Sequence, residues 1–579
     1  MNERKTQISL AVAGGVAVVV LWEVLQKWRV RRGVAKKIKW KQEQCKAAFE
    51  TVEQNLRKAD LPAEEIASIL DLSFTDLHQQ LQDGTLKAVD VLHAYQTCAL
   101  EANKRINAIT EPLLDAEAIA EALDQQSGGE KKPLYGIPVS LKESFNIAGL
   151  DSTAGLGQFL QNPLARDAVL VQVIKDLGAV PFVRTNIPQT MMTYECANPV
   201  YGQTKNPYDL SRVPGGSTGG ESALLGSRAS IIGFGSDIGG SIRVPSHFCG
   251  CYGLKTTLER LSRKGHISLS RGQTQVSGTV GPMTRDFEGL VFATKAILTD
   301  LHFQLDPAIP PVKFREEIYK SKDPLTIGFY THDGYIQSVP ACQRAVLLAK
   351  KALELMGHTV VEFVPPRVTY MIPNLYIRSV QGDGGKIFIS KTNNDIEEPT
   401  LRKLLLPSKL PKWMRWVLAW AIQAASKDKV LGESLRARVE VKSVYEWFQH
   451  AIRIQEYKEE FLQAWKAKNL DAVICPPFAM AAVPSGKVID VLGCGGYCWL
   501  YNVVNYPAGV LPVTKVISDD ITNLDKYPSN TRQEKNVKKY SIGSEGLPVG
   551  VQCAGLPFQE ELVLRVMRDI ETGLISLKK

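Results

Sequence analysis

Apolar positions change their spacing near residue 135. Before that point, helical spacing predicts three helices. One begins at 61–65, and the other two cover 74–81 and 88–102. After it, short apolar runs broken by glycine predict strands with helices such as 168–177 and 291–298 between them. The predicted strands are 137–141, 179–183, 231–234, 325–329, 359–363, 472–474, 508–516 and 549–552. Strands that alternate with helices indicate an α/β domain built around one sheet.

The N-terminal segment is one uncharged apolar run, 8–21, which extends to Leu25 if Glu23 is tolerated. Such a helix would be roughly 27 Å long, close to the ~30 Å hydrocarbon core of a bilayer. Trp22, Glu23 and a basic tract stand where a signal peptide would carry its cleavage site. We therefore predict a retained membrane anchor, with a cleaved signal peptide and a buried core helix as the alternatives.

Basic charge is concentrated beside this run. Residues 1–46 hold 11 lysines and arginines against three glutamates, a net charge of +8. The whole chain has a net charge of +9, so nearly all of it belongs to this segment. The positive-inside rule then places everything after the anchor in the cytosol. The nearly neutral body argues against a nucleic-acid partner. These features divide the chain into an anchor at 1–30, a basic collar and helical lead-in at 31–90, and a large body at 91–579.

The overall composition is that of a large globular protein, 44% hydrophobic and 22% charged over 579 residues. The ten cysteines are scattered without the spacing of a zinc site. Reduced thiols in the cytosol are expected, and no metal or other cofactor is predicted.

Candidate chemistry lies in residues 213–246, which are rich in glycine and serine. A flexible linker would lack the apolar residues found at 223–225 and 231–232, and a phosphate cradle would need a motif that is absent here. Residues 215–219 match the G-x-S-x-G nucleophile elbow. An elbow also requires a strand directly before it and an acid and a histidine downstream. Residues 209–214 match a strand poorly, and the later histidines stand in unremarkable contexts, so the elbow is the weaker interpretation.

Amide cleavage offers a better account, because it needs a nucleophile, donors for an oxyanion and an acid for the departing amine. Ser241 ends a turn in which Gly239 and Gly240 let backbone N–H groups approach a substrate carbonyl. Asp237 and Arg243 are spaced to pair and hold this loop together.

With these residues, the chain resembles the amidase signature family from about residue 90 to 565. The signature runs from Gly215 to Ser246 and departs from the family pattern only at Thr218, where the hydroxyl is kept. Further matching motifs are Gly136–Glu143, Asn206–Asp209, Asn505–Gly509 and Gly546–Gln552. The resemblance implies a large mixed β-sheet covered by helices on both faces.

The resemblance also assigns roles. It implies Ser241 as the nucleophile, Ser217 as a bridging proton shuttle and Lys142 as the base. It further implies an oxyanion hole from the backbone N–H groups of Ile238, Gly239, Gly240 and Ser241. Met191 and Ser217 are implied as further contacts of the oxyanion or the substrate.

Lysine is an unusual base, because its ordinary pKa is about 10.4 and almost all of it is protonated near neutral pH. Burial of Lys142 behind its strand and hydrogen bonds from two serines would favour the neutral amine. The alternative, a surface pair of Lys142 with Glu143, conflicts with the opposite directions of adjacent side chains on a strand.

Residues 404–430 form a second apolar segment, in which Trp413, Trp416 and Trp420 share one helical face. An ordinary core helix is one interpretation. Tryptophans beside basic residues are more typical of a helix that lies in a membrane interface, so we predict a membrane-binding cap here.

Within the family, the anchor, the collar and the total length resemble membrane-bound members that hydrolyse fatty acid amides. This likeness implies a lipid amide substrate, a homodimer and an endomembrane location, with Met192, Tyr194 and Leu404 along an acyl channel. Gln381 stands where such members carry an aromatic residue. A glutaminase subunit of an amidotransferase and a lipid-binding protein without turnover are the alternatives.

Overall fold

The central element is a mixed sheet that runs through the whole molecule. The computed structural model describes residues 2–126, 129–270 and 272–578, and the side chains of 2–21, 23 and 24 lie outside that description. The strands are β1 Ile109–Pro112, β2 Pro138–Lys142, β3 Val180–Thr185, β4 Ala197–Asn198, β5 Gly202–Gln203, β6 Ile232–Asp237, β7 Tyr252–Lys255, β8 Thr279–Thr284, β9 Thr326–Phe329, β10 Thr359–Glu362, β11 Ala472–Cys475, β12 Ala508–Lys515 and β13 Pro548–Gly555.

Helices connect these strands along the described chain. The principal ones are α1 Asn2–Ala59, α2 Ala63–Asp71, α3 Phe74–Asp83, α4 Ala88–Ile106, α5 Ala116–Asp124, α6 Val169–Asp176, α7 Gly219–Gly226, α8 Arg243–Cys249, α9 Phe287–Ala296, α10 Asp300–Leu305, α11 Glu316–Lys320, α12 Pro340–Leu355, α13 Val368–Met371, α14 Arg378–Val380, α15 Lys386–Thr392, α16 Pro399–Lys409, α17 Lys412–Ser426, α18 Lys429–Ala437, α19 Val444–Ala467, α20 Gly496–Val503, α21 Ser518–Thr522, α22 Arg532–Ser541 and α23 Glu560–Lys578. The predicted helices of the lead-in are confirmed with small shifts at their ends.

Eleven strands form the large sheet in the order β1-β3-β2-β6-β8-β7-β12-β13-β11-β9-β10. The strands β3, β2 and β6 run parallel, as do β11, β9 and β10. Between these two groups the pairing is antiparallel from β6 through β8, β7, β12 and β13 to β11. The predicted α/β class and mixed sheet are therefore confirmed.

Helices cover both faces of this sheet. In the paired strands β12 and β13, Gly509 lies opposite Cys553, and Gly550 lies opposite Pro512, so the two glycines face opposite sides. The Met567 side chain of α23 packs at Gly509, whereas His247 of α8 packs at Gly550. The small glycine faces let both helices approach the sheet closely.

The N-terminal helix α1 packs against the body through Val34 and Ile38, which contact Leu160 and Val200. Among the residues that the structure describes, no helix combines the length and the apolarity needed to cross a membrane. The side chains of the predicted span at 8–25 lie outside this description, except for those of Trp22 and Leu25.

Candidate active site

Lys142 is the last residue of β2, a strand enclosed between β3 and β6, and its side chain is completely buried. Its Nζ atom is hydrogen-bonded to Ser217 Oγ at 2.8 Å, Ser236 Oγ at 2.9 Å and Thr218 Oγ1 at 3.1 Å. Burial lowers the pKa of Lys142 to about 7, against the opposing effect of acidic groups such as Asp237. A large neutral fraction of this amine is therefore present near pH 7.

Thr218 explains why the departure from the family signature is tolerated. Its hydroxyl is one of the three partners of Lys142 and also donates to the Ser236 carbonyl at 3.2 Å. Its methyl group packs against Gly235, where an added Cβ would lie 2.5 Å away. The substitution thus keeps the hydrogen bond and fills space beside the strand.

Glu143 does not form the surface pair considered as an alternative. It is buried and accepts hydrogen bonds from the Thr153 backbone N–H at 2.5 Å and the Thr153 hydroxyl at 2.7 Å. The side chains of Lys142 and Glu143 thus lie in different surroundings, one beside Ser217 and the other beside Thr153.

Glu221 of α7 is a buried acid near Lys142 that the sequence reasoning missed. Its carboxyl is hydrogen-bonded to Ser140 and accepts from Thr185 Oγ1 at 2.9 Å. Burial raises the pKa of Glu221 to about 7, so this acid does not supply a full counter-charge to the lysine. Its place in the Gly-Gly-Glu-Ser run was the only available signal.

The loop after β6 carries Ser241 and is organised by Asp237. The Asp237 carboxylate accepts from the N–H groups of Gly240 at 2.8 Å and Ile242 at 3.0 Å. It also accepts from Arg243 Nε at 3.0 Å and Nη2 at 2.9 Å. Although burial raises the pKa of Asp237, the Arg243 guanidinium and these donors hold it well below its ordinary value.

Two glycines shape this loop for different reasons. Gly240 has a φ of +97°, a conformation that side chains with a Cβ rarely adopt. A Cβ at Gly239 would instead collide with the hydroxyl of Tyr376, which stacks on Trp499 with ring centroids 4.6 Å apart. Both positions therefore require glycine.

The four backbone N–H groups of the predicted oxyanion hole, from Ile238 to Ser241, do not all have the same partners in the free protein. The Gly240 N–H is committed to Asp237, whereas the N–H groups of Ile238, Gly239 and Ser241 donate to no protein acceptor in the described ranges. Three of the four predicted donors are thus free to meet a ligand. The reason is the turn itself, which directs one N–H inward to the carboxylate.

Ser217 and Ser241 are held near one another by the backbone, since the Thr218 N–H donates to the Ser241 carbonyl at 3.1 Å. Both serines line one cavity, although no hydrogen bond joins their hydroxyls in the part of the chain described here. Such contacts are often long in free enzymes and shorten when substrate binds. Residues 213–216, before Ser217, lie in no strand, so the elbow hypothesis lacks its required element.

Two cavities meet at Ser241. One has a volume of about 840 Å³ and is lined by polar residues that include Lys264, His266 and Asp306. The other holds about 60 Å³ and is mainly apolar, between Ser241 and Leu404. The predicted contacts Met191, Met192 and Ile238 line both cavities, and Tyr194, Gln381 and Trp499 line the second. The structure thus brings the predicted acyl-channel residues together beside the candidate nucleophile.

Tyr194 fixes the wall between the loop and the apolar cavity. Its hydroxyl donates to the Gly239 carbonyl at 2.5 Å and accepts from Trp499 Nε1 at 3.0 Å. Trp499 and Tyr376 were missed by sequence reasoning, because their places in α20 and before α14 carry no local signature.

The three tryptophans of the predicted cap lie on α17 with exposed side chains, at 68% for Trp413, 52% for Trp416 and 69% for Trp420. Arg415 of the same helix turns inward and donates to the carbonyls of Ser408, Leu410 and Arg438. The preceding helix α16 supplies Leu404 to the apolar cavity. The exposed face and the cavity wall thus belong to adjoining helices.

Comparison with known proteins gives a consistent set of relatives. The family model described as Amidase matches residues 90–564. Fatty-acid amide hydrolase 1 of Sus scrofa is 40% identical over 549 residues, which cover 94% of this chain and 92% of the relative. Fatty acid amide hydrolase 1 of Caenorhabditis elegans is 38% identical over 532 residues, 90% and 92% of the two chains. A solved structure of a fatty acid amide hydrolase superposes with a TM-score of 0.77 and 26% identity, covering 93% of this chain and 95% of that one.

Proposed function

This chain belongs to the amidase family and is an amide-hydrolysing enzyme, and on that premise we propose that it cleaves fatty acid amides with a Ser241–Ser217–Lys142 triad. The observation that carries the proposal is the buried contact of 2.8 Å between Lys142 Nζ and Ser217 Oγ, beside the cavity that Ser241 lines. A buried amine with a pKa of about 7 is able to accept a proton under ordinary conditions.

In the first half of the reaction, Ser241 Oγ attacks the substrate carbonyl carbon while its proton passes through Ser217 to Lys142. The negative charge that forms on the carbonyl oxygen is stabilised by the N–H groups of Ile238, Gly239 and Ser241. Lys142 then returns the proton along the same path to the leaving nitrogen. The C–N bond breaks, and an amine and an acyl-enzyme result.

In the second half, water attacks the acyl-enzyme and its proton again passes through Ser217 to Lys142. The ester bond to Ser241 breaks and the proton returns to Ser241 Oγ. The products of the complete cycle are a free fatty acid and an amine.

A lipid substrate is supported by the apolar cavity with Met192, Tyr194 and Leu404, and by the names of the two relatives. The exposed face of α17 would sit in the membrane interface, where the tryptophan rings and the basic flank are both stabilised. In this proposal the protein is an endomembrane homodimer. Residues 1–30 form its anchor, residues 31–90 form the collar and lead-in, and the catalytic domain at 91–579 lies in the cytosol.

Labelling with a serine-directed fluorophosphonate, followed by peptide mapping, tests the assignment of the nucleophile. We expect the label on Ser241, and we expect Ser241→Ala to lose both labelling and amide turnover with an unchanged circular dichroism spectrum. A label on Ser217 in the wild-type protein would contradict the triad.

A further inference from the structure

One lysine of the basic collar lies inside the protein. Lys41 of α1 is 4% exposed, and its Nζ donates to Glu111 Oε2 of β1 at 2.6 Å. A collar lysine is expected to keep its charged end in water or among lipid head groups, as Lys39 does with a side chain that is 80% exposed. Lys41 instead places its charge beside a buried carboxylate, where it acts on the interior of the protein.

Glu111 joins this lysine to an arginine on the neighbouring strand. Its second oxygen, Oε1, accepts from Arg184 Nη1 at 3.0 Å. Arg184 is completely buried and lies directly opposite Glu111 in the pairing of β1 with β3. One buried carboxylate is thus shared by two cations, one from the collar helix and one from the sheet. Removal of either cation leaves the carboxylate with only part of its compensation.

Arg184 in turn fixes the turn that follows Lys142. Its Nη2 is hydrogen-bonded to the Glu143 carbonyl, to the Phe145 carbonyl at 3.3 Å and to Ser152 Oγ at 2.8 Å. The Phe145 N–H closes the turn by donating to the Lys142 carbonyl at 3.0 Å. The contacts of the guanidinium therefore begin at the residue next to Lys142.

These contacts support the strand from the face opposite to the candidate active site. Thr185 lies opposite Lys142 in the pairing of β2 with β3, so the two side chains share a face. The adjacent Arg184 points to the other face. The chain of contacts from Lys41 thus holds the end of β2 from behind, away from Ser217.

Buried titratable groups surround both lysines. Those around Lys142 are Glu143, Cys196, Glu221, Asp237 and His266. Those around the pair of Lys41 and Glu111 are Cys45, Glu143, Arg184 and Tyr201. Loss of Lys41 would raise the pKa of Lys142 above about 7 in two ways, because water entering a loosened turn solvates the ammonium and because a cation leaves the buried region.

We propose that Lys41, on the collar helix, is a positioning residue for the base of the active site. Through Glu111 and Arg184 it fixes the turn after β2 and keeps the buried amine there shielded from water. The helix α1 thereby belongs to the catalytic unit as well as to the membrane attachment. This inference rests on the proposed triad, since it concerns the residue that the triad uses as its base.

The test measures the second-order rate of fluorophosphonate labelling against pH, on the full-length chain in detergent. The probe reacts with an activated serine, so the result does not depend on which amide is the substrate. In the wild-type protein the rate should rise through an inflection near pH 7. In Lys41→Met the inflection should move upward by about one pH unit, within the range that changes in burial or in a nearby charge produce. Lys39→Met, the same change at an exposed position of α1, should keep the wild-type inflection.

A second comparison tests the route through Glu111. Because both changes interrupt the same chain of contacts, Lys41→Met should add little to the shift that Glu111→Gln causes alone. If Lys41→Met fails to fold, Lys41→Gln, which keeps a donor and loses the charge, decides in its place.

Two results would overturn this inference alone. They are an inflection that stays near pH 7 in the Lys41 variant, and a full additional shift when the variant is combined with Glu111→Gln. An inflection that Lys142→Ala retains would instead refute the proposed triad, and the role of Lys41 with it.

Discussion

The loop that carries Ser241 and the helix α17 handle polarity in opposite ways. The loop buries an aspartate and an arginine, and nearly every charged atom there has a partner, including Asn502 and Gln552 from distant segments. The helix α17 instead exposes three tryptophans and turns its one central arginine, Arg415, inward. Charge is enclosed in the first region, and apolar surface is left uncovered in the second.

This difference teaches which property each region controls. A buried network fixes the positions of reacting atoms, since its members lose their solvation unless every partner is in place. An exposed apolar face contributes little to that geometry, and in the proposed function it offers surface to a lipid phase. Changes in the loop and at Lys142 should therefore alter the rate of the chemical step, whereas changes on α17 should alter membrane binding.

The largest effect is expected for Lys142→Ala. It should slow amide hydrolysis far more than hydrolysis of the matching ester, because an amine leaves poorly unless it is protonated. Each assisted proton transfer is typically worth ~10²–10⁴-fold, and the amide loses both the base and the leaving-group acid. The measurement compares oleamide with methyl oleate on the purified variant.

Two controls sharpen this comparison. Lys322→Ala, on an exposed segment between α11 and β9, should leave both rates unchanged. Equal slowing of amide and ester by Lys142→Ala would show that the lysine does not protonate the leaving group.

The second-largest effect is expected for Arg243→Met, which should lower the free energy of unfolding. It leaves Asp237 as a buried carboxylate without its cation, a change that typically costs about 3–5 kcal/mol. Urea unfolding measures the loss, and Arg453→Met at an exposed position of α19 is the matched control, expected to stay within about 0.5 kcal/mol of wild type. A variant as stable as the control would mean that the pair does not hold the loop.

A smaller effect is expected when Trp413, Trp416 and Trp420 are all changed to serine. In a chain without residues 1–30, where the proposed anchor does not mask the change, flotation with phosphatidylcholine vesicles should fall by about tenfold or more, because each indole removed from the interface loses apolar burial. Hydrolysis of a short water-soluble anilide should stay within about twofold of wild type. Val364→Ser, at an exposed site outside α17, serves as the control. Undiminished flotation of the triple variant would refute the cap.

Much of the site could be predicted from the sequence, because its key residues lie in short contiguous patterns. Lys142 ends an apolar strand, and the spacing of Asp237 and Arg243 allows a local pair. The partners contributed by distant segments, such as Asn502 and Gln552, leave no such pattern. The same holds for β8, Thr279–Thr284, which pairs with β6 and β7. Its glycine and proline are residues that disfavour strands, so the sequence pattern did not predict this strand.

The local geometry of the loop was also beyond the sequence. Four successive N–H groups looked equivalent from residue types alone. Only the backbone angles around Gly240 direct one of them to the Asp237 carboxylate.

The pH dependence of oleamide hydrolysis tests the central claim, a neutral buried Lys142, most directly. Protonated Lys142 is unable to accept the serine proton, so kcat/KM should fall as pH drops below about 7 and reach a plateau above it. In Lys142→Ala the residual activity should lack this inflection. A wild-type profile that is flat through this range, or an identical inflection in Lys142→Ala, would contradict the account.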